Sequence, residues 1–450
     1  MALHYPALAE RVRSQAELQP GMYGEIDFDR LPYRHTTDPA DSSSLPPWVA
    51  ERTPILANER AVELISTATM LGDVVADPYA ALVEQYGVRG LIGMLRQACR
   101  EGVDAVPDAP VELKAFIAAM EATPDWVDMQ LVEEGARQSR NPTAFVAPFV
   151  IRGVFLGTFI NAYAALPMAL TGALSGRRAA HRVNETSSFF AVTTMPGALE
   201  RHGPGFEAAA MVRLMHSMVR FNALKRSDMW DAAIYGVPVP QVDQMPAGLI
   251  NMYLLAGVVI GRGDTEFRAD ERAVLEFSRY RCFLLGLPQE LLPTTPAEII
   301  EVMHTRAALL RDGFDDATCG DLIRSTMAAY VRPGRGWSDR VAEAVDKSWS
   351  KVGFVRAFCN NSRAAAARMG VRLRLRDVAL VGLTAPFILG RNAAVLRASK
   401  LPALRGLCDR YAIRVLRKRL ATYGTPEFTT DAVHYPTASD DDARLTATRG

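Results

Sequence analysis

Apolar residues recur at intervals of three and four from Ala57 through most of the chain, and no stretch alternates as a strand would. That pattern restricts the chain to packed helices, because each amphipathic stripe must bury against another. Breaks fall at prolines. Pro124 ends the run VELKAFIAAMEATPDW, and Asn141-Pro142 is expected to stop the run VDMQLVEEGARQSR. Thr295-Pro296-Ala297-Glu298 carries the cap, the N1 proline and the N3 glutamate of a capping box. The expected fold is all-α, a multi-helix bundle of more than ten helices. Three parts are expected: an irregular leader over 1–55, rich in Pro, Asp and Ser and draped over the fold; a helical domain over 56–425; and a disordered tail over 426–450 with Asp440-Asp441-Asp442.

With 450 residues, 49% of them hydrophobic, the chain can bury a large core. Its 51 basic and 50 acidic residues leave a formal charge of +1, which gives no footing for nucleic acid or an anionic membrane as partner. Five cysteines without a CxxC pair argue against a cysteine zinc site and suit free thiols in a reducing compartment. The N-terminus lacks the pattern of a secretion signal, so a cytoplasmic location is expected. Gly153 to Leu174 carries no charge and is long enough to span a bilayer. Its asparagine, proline and glycines favour a buried helix or helix pair, and no transmembrane anchor is expected.

Chemistry concentrates in two places. In MVRLMHSMVRFNALKR, Arg213, His216 and Arg220 stand at i, i+3 and i+7 and share a helix face. Leu214, Met215, Met218 and Val219 around them imply burial, and buried arginines need anionic partners. A haem would supply iron for the imidazole and propionates for the guanidiniums. A hydrogen-bonded core histidine is the alternative that spacing alone leaves open. Upstream, Arg182, Glu185 and Thr186 (RVNET, after His181) share another face. They either form a polar spot that orients oxygen or a proton in an apolar cavity, or a surface Arg–Glu pair. His35, His202, His304 and His434 are isolated and read as structural or exposed. Glu298, Glu301 and His304 have di-iron-like spacing, but the second Glu-x-x-His that such a site needs is missing.

RVNET with His216 34 residues after its arginine, GVPVPQVD over 236–243 and LPTTPAEI over 292–299 together resemble the latex clearing protein family. That family includes rubber oxygenases and the fungal MpaB-type oxygenases, and the resemblance runs from about residue 60 to 420. It implies a globin-like helical core with one non-covalent haem b, dioxygen as co-substrate and His216 as proximal iron ligand. It places Arg182 and Thr186 on the distal side, and Arg213 and Arg220 where they support the haem or its propionates. Glu185 stands where some rubber oxygenases carry a lysine, and it is read as a proton acceptor. The glutamate those enzymes use on the preceding helix has no counterpart, since no Asp or Glu occurs between Glu134 and Glu185.

The function so implied is a haem-dependent oxygenase acting on a small lipophilic substrate, an isoprenoid or other specialised metabolite, by oxidative C=C cleavage. The apolar helices at 145–174 and 245–261 would line its cavity. Hydroxylation or another oxidative tailoring reaction is one alternative, and a non-catalytic haem carrier or sensor is another.

Overall fold

The computed structural model describes residues 3–171 and 177–424, without the side chain of Arg177. The expected tail lies outside these residues, as does His434. Among the described residues there are 21 α-helices and no strand, so the all-α expectation holds. The five cysteines are free thiols, four of them buried.

The largest core cluster brings together apolar side chains from Leu8 to Leu309, including Leu214, Met218, Met245 and Leu275. A second cluster gathers Leu156, Phe159, Ile323, Phe354 and Val371. Close helix contact depends on glycine at two places. A Cβ on Gly135 would collide with the Ala273 carbonyl, and one on Gly153 with the Ser350 carbonyl. Both packings would have to open to admit a methyl group.

The leader is less irregular than its composition suggests. Pro6–Leu18 is a helix with Pro at its first turn, and Leu8, Ala9 and Val12 are buried. Gln15 pins it, donating to Met70 O at 2.9 Å and accepting from Gly72 N at 2.7 Å. From Gly24 to Glu51 the chain has no helix. It is tied down by isolated bridges from His35 to Leu310 and from Ser43 to Arg311.

Two boundaries bear on the sequence reading. Thr295 forms the expected capping box with Glu298. Pro142, by contrast, does not stop its helix, which runs Met129–Phe145 with the proline inside. Proline removes one hydrogen bond there, and the helix ends within a turn, where the chain bends by 90° into the next helix. The charge-free stretch is a helix pair: Ala147–Leu156 leads through a 3-10 turn over Gly157–Phe159 to Ala162–Leu170, capped by Asn161. Two other helices among the described residues, Gln241–Gly261 and Leu375–Ser399, are long and apolar enough to cross a membrane. The first buries one face, including Met245, Leu249 and Met252, and exposes Leu254 and Val258; Leu383 and Phe387 of the second are exposed.

Candidate functional site

Three helices frame the site. The histidine helix, Pro204–Arg226, begins with proline and ends on Lys225 and Arg226, which suits the sign of its dipole. The RVNET helix, Arg177–Val192, packs against it. The glutamine helix, Gln241–Gly261, follows the turn GVPVP.

His216 is half-buried, and desolvation lowers its pKa to about 4, with Arg220 and Arg182 adding to the fall and Gln244 opposing it. The imidazole is therefore neutral at neutral pH. One of its nitrogens must carry the proton, and the neighbouring amides decide which. Gln244 Nε2 donates to Gln241 Oε1 at 3.0 Å, and Gln241 Nε2 donates to Gly72 O at 3.1 Å. A carbonyl can only accept, so the chain of amides runs in one direction and leaves Gln244 Oε1 as an acceptor. It lies 2.7 Å from His216 Nδ1, which must then donate. The proton is on Nδ1, and Nε2 keeps its lone pair. A ring held by Nδ1 with a free Nε2 is the state in which histidine ligates a metal. Replacing Gln244 with Leu is expected to weaken haem retention ~10–100-fold. It should also move the reduction potential upward, because the imidazole becomes a poorer donor; haem titration and spectroelectrochemistry measure the two effects.

The two flanking arginines have partners of their own. Arg213 makes a bidentate pair with Asp73 at 2.6 and 2.8 Å and lies over the Phe116 ring. Arg220, with no exposed side-chain surface, donates to Asp77 at 2.8 Å, to Val239 O at 2.8 Å and to Ser217 Oγ at 2.9 Å. Tyr23 also donates to Asp77, at 2.5 Å. Burial pushes Asp73 up, but Arg213 and then Arg220 outweigh it and hold the carboxyl below its usual range. Both arginines, expected to support the haem or its propionates, are thus paired with protein groups in this structure. Their anions are protein carboxylates from the segment LGDVVADP, which tie that segment to the histidine helix. Sequence reasoning missed Asp73, Asp77, Gln241 and Gln244. The i, i+4 carboxylates in an otherwise apolar run were the available signal for the first two.

On the RVNET helix, Arg182 donates to Glu185 at 2.9 Å, and His181 Nε2 lies 3.1 Å from Glu185 Oε1. The Arg–Glu pair weighed from spacing is therefore real. It is not merely a surface pair: Glu185 is largely buried, and the Arg182 charge is felt at His216. Arg182 Nε is buried without a hydrogen-bond partner among the described residues. Thr186 is half-buried one turn further on. The structure so brings His216 and Arg182 into one neighbourhood. Of the two apolar stretches, 156–165 contributes to the second core cluster and 245–256 to the first, while Leu166 and Leu170 pack with Ala223 of the histidine helix.

No group of three or more His, Cys, Asp or Glu side chains suited to a metal ion occurs among the described residues. A haem needs only one protein ligand on iron, so the donor set at His216 fits it: a neutral imidazole with a committed Nδ1 and a free Nε2, near an unpartnered guanidinium nitrogen. His304, by contrast, is bound to the Tyr253 hydroxyl at 2.9 Å and reads as structural.

No curated protein matches the sequence. Among solved structures, the latex clearing protein in its closed state is similar, with TM-score 0.55 and 16% identity over 80% of this chain and 92% of that one; the likeness shows the fold. The family described as ER-bound oxygenase mpaB/B'/rubber oxygenase, catalytic domain, matches residues 149–388, which include RVNET, His216 and Gln244. The match covers more than half of the chain, and the protein belongs to this oxygenase family.

Proposed function

We propose that the protein is a haem b-dependent oxygenase that cleaves a C=C bond in a small lipophilic substrate, an isoprenoid or another specialised metabolite. One observation carries this reading: the amide chain from Gly72 through Gln241 and Gln244 leaves His216 Nε2 free as a ligand. Family membership supports the oxygenase chemistry. Haem b, when bound, supplies redox-active iron that takes up dioxygen.

The chain's own residues have separable tasks. His216 would hold the cofactor through Nε2, and Gln244 keeps the ring in the required tautomer. Arg182 provides a guanidinium to stabilise negative charge as dioxygen is reduced. Glu185, held between Arg182 and His181, is the group that accepts or returns a proton. Thr186 offers a hydroxyl one turn from Arg182. The apolar core around Met215, Met218 and Met245 keeps water away. The cytoplasm is the proposed location, where five unpaired cysteines stay reduced.

Cleavage and hydroxylation differ in electron balance. An alkene plus one dioxygen gives two carbonyl groups and needs no other reductant. Hydroxylation consumes two electrons and two protons from elsewhere and releases water. Oxygen uptake by haem-loaded protein with an isoprenoid alkene and no reductant is the test. One dioxygen consumed per double bond, with two carbonyl products, is the expected result. Uptake that needs a reductant and yields an alcohol favours hydroxylation, and no substrate-dependent uptake favours a carrier.

A further inference from the structure

Seven arginines are buried among the described residues: Arg34, Arg140, Arg152, Arg213, Arg220, Arg279 and Arg281. Six have a carboxylate partner: Asp243 for Arg34, Glu133 and Asp409 for Arg140, Glu343 for Arg152, Asp73 for Arg213, Asp77 for Arg220 and Glu276 for Arg279. Arg281 has none. It is 3% exposed, and its Nε is buried without a hydrogen-bond partner. Burial lowers its pKa, and no Asp or Glu acts against that fall; Cys282 alone does. A desolvated guanidinium without an anion is costly, and such groups are retained where an anion binds.

Its position says where that anion would sit. The guanidinium carbon lies 4.9 Å from the centre of the Phe190 ring and 5.1 Å from that of Phe277. Phe190 follows Arg182 and Thr186 at i+8 and i+4, so all three share one face of the RVNET helix. The helix carrying Arg281, Ala269–Leu284, also packs against the histidine helix. Its next residue, Cys282, abuts Gly248 of the glutamine helix. The helix carrying Arg281 therefore contacts all three helices that frame His216. Both rings hold the guanidinium by cation–π contact, and its Nε has no hydrogen-bond partner and is available to a carboxylate.

We propose that Arg281 binds a carboxylate at the rim of the His216 site, supplied by a haem propionate or by an acidic group on the lipophilic substrate. The haem source rests on the function proposed above; the substrate source does not.

Arg281→Met and Arg281→Lys separate these sources in the full-length protein. The first arm compares haem with its dimethyl ester by absorption titration. Arg281→Met should weaken haem binding ~10-fold or more, leave the ester unaffected and so erase the preference for free propionates, while Arg281→Lys keeps part of it. The second arm compares a long-chain isoprenoid acid with its methyl ester by the same logic. Loss of acid preference in either arm upholds the proposal and names the source. Thermal melting of haem-free protein is a third measurement. Removing an unpaired buried charge should raise the midpoint for Arg281→Met. Unchanged preference in both arms, or a lower midpoint with no change in ligand preference, would mean a ring-packed structural arginine and overturn it. If the wild type takes up no haem at all, the proposed function fails, and the acid arm still decides the role of Arg281.

Discussion

Arg220→Met is expected to destabilise the haem-free protein by about 3–5 kcal/mol, because it strands a fully buried carboxylate. Asp77 has no accessible side-chain surface, and its remaining partners would be the Tyr23 hydroxyl and the backbone N–H of Asp73. The same replacement frees Val239 O, which accepts from Arg220 at 2.8 Å. Val239 adopts φ 46°, a left-handed conformation that a β-branched residue takes only when its surroundings enforce it. It stands just before the glutamine helix, so relaxation there would also disturb Gln241 and Gln244. The double replacement Arg220→Met with Asp77→Leu should recover a large part of the loss, since no uncompensated charge remains. Chemical denaturation of the single and double variants measures this. A single variant as stable as the wild type would show that the Arg–Asp pair does not fix the histidine helix.

His216→Ala is expected to remove stoichiometric haem while leaving the fold intact. The imidazole makes one hydrogen bond in the protein, to Gln244, so its loss costs about 1 kcal/mol at most from that source. The neighbouring Met215 and Ser217 are buried on other faces of the helix, so neither would take over as the proposed iron ligand. Added imidazole should restore part of the binding by filling the vacated volume and accepting the role of Nε2. Haem content per chain, read from the absorption spectrum of each variant, checks this outcome. A variant that keeps full haem content and an unchanged spectrum would assign the ligand elsewhere.

What the sequence makes legible follows the range of the interactions involved. His216, Arg213 and Arg220 share a face because i, i+3 and i+7 always do on a helix, and the structure keeps them there. Arg182 and Glu185 pair for the same local reason. The partners that decide what the arginines do come from far away. Asp73 is 140 residues from Arg213, and Asp77 is 143 from Arg220. No periodicity couples positions so distant, so a haem propionate seemed as good an anion as a protein carboxylate. Gln244 directly follows the GVPVPQVD motif, and its role depends on a chain of amides that only folding assembles. Arg281 lies in the run SRYRC, which has the look of a solvated face; its burial between two phenyl rings comes from packing against the RVNET helix. The leader hid a helix because its prolines sit at the first turns, where they start helices as readily as they break them.

His216 is proposed to offer a single free imidazole nitrogen, Nε2, to a haem iron. Titrating the haem-free protein with haem b, alongside His216→Ala, tests it most directly. The wild type is expected to take up one haem per chain saturably, with the spectrum of a histidine-ligated iron, and the variant to lose that spectrum. Identical titrations for the two proteins, or no saturable uptake by the wild type, would contradict it.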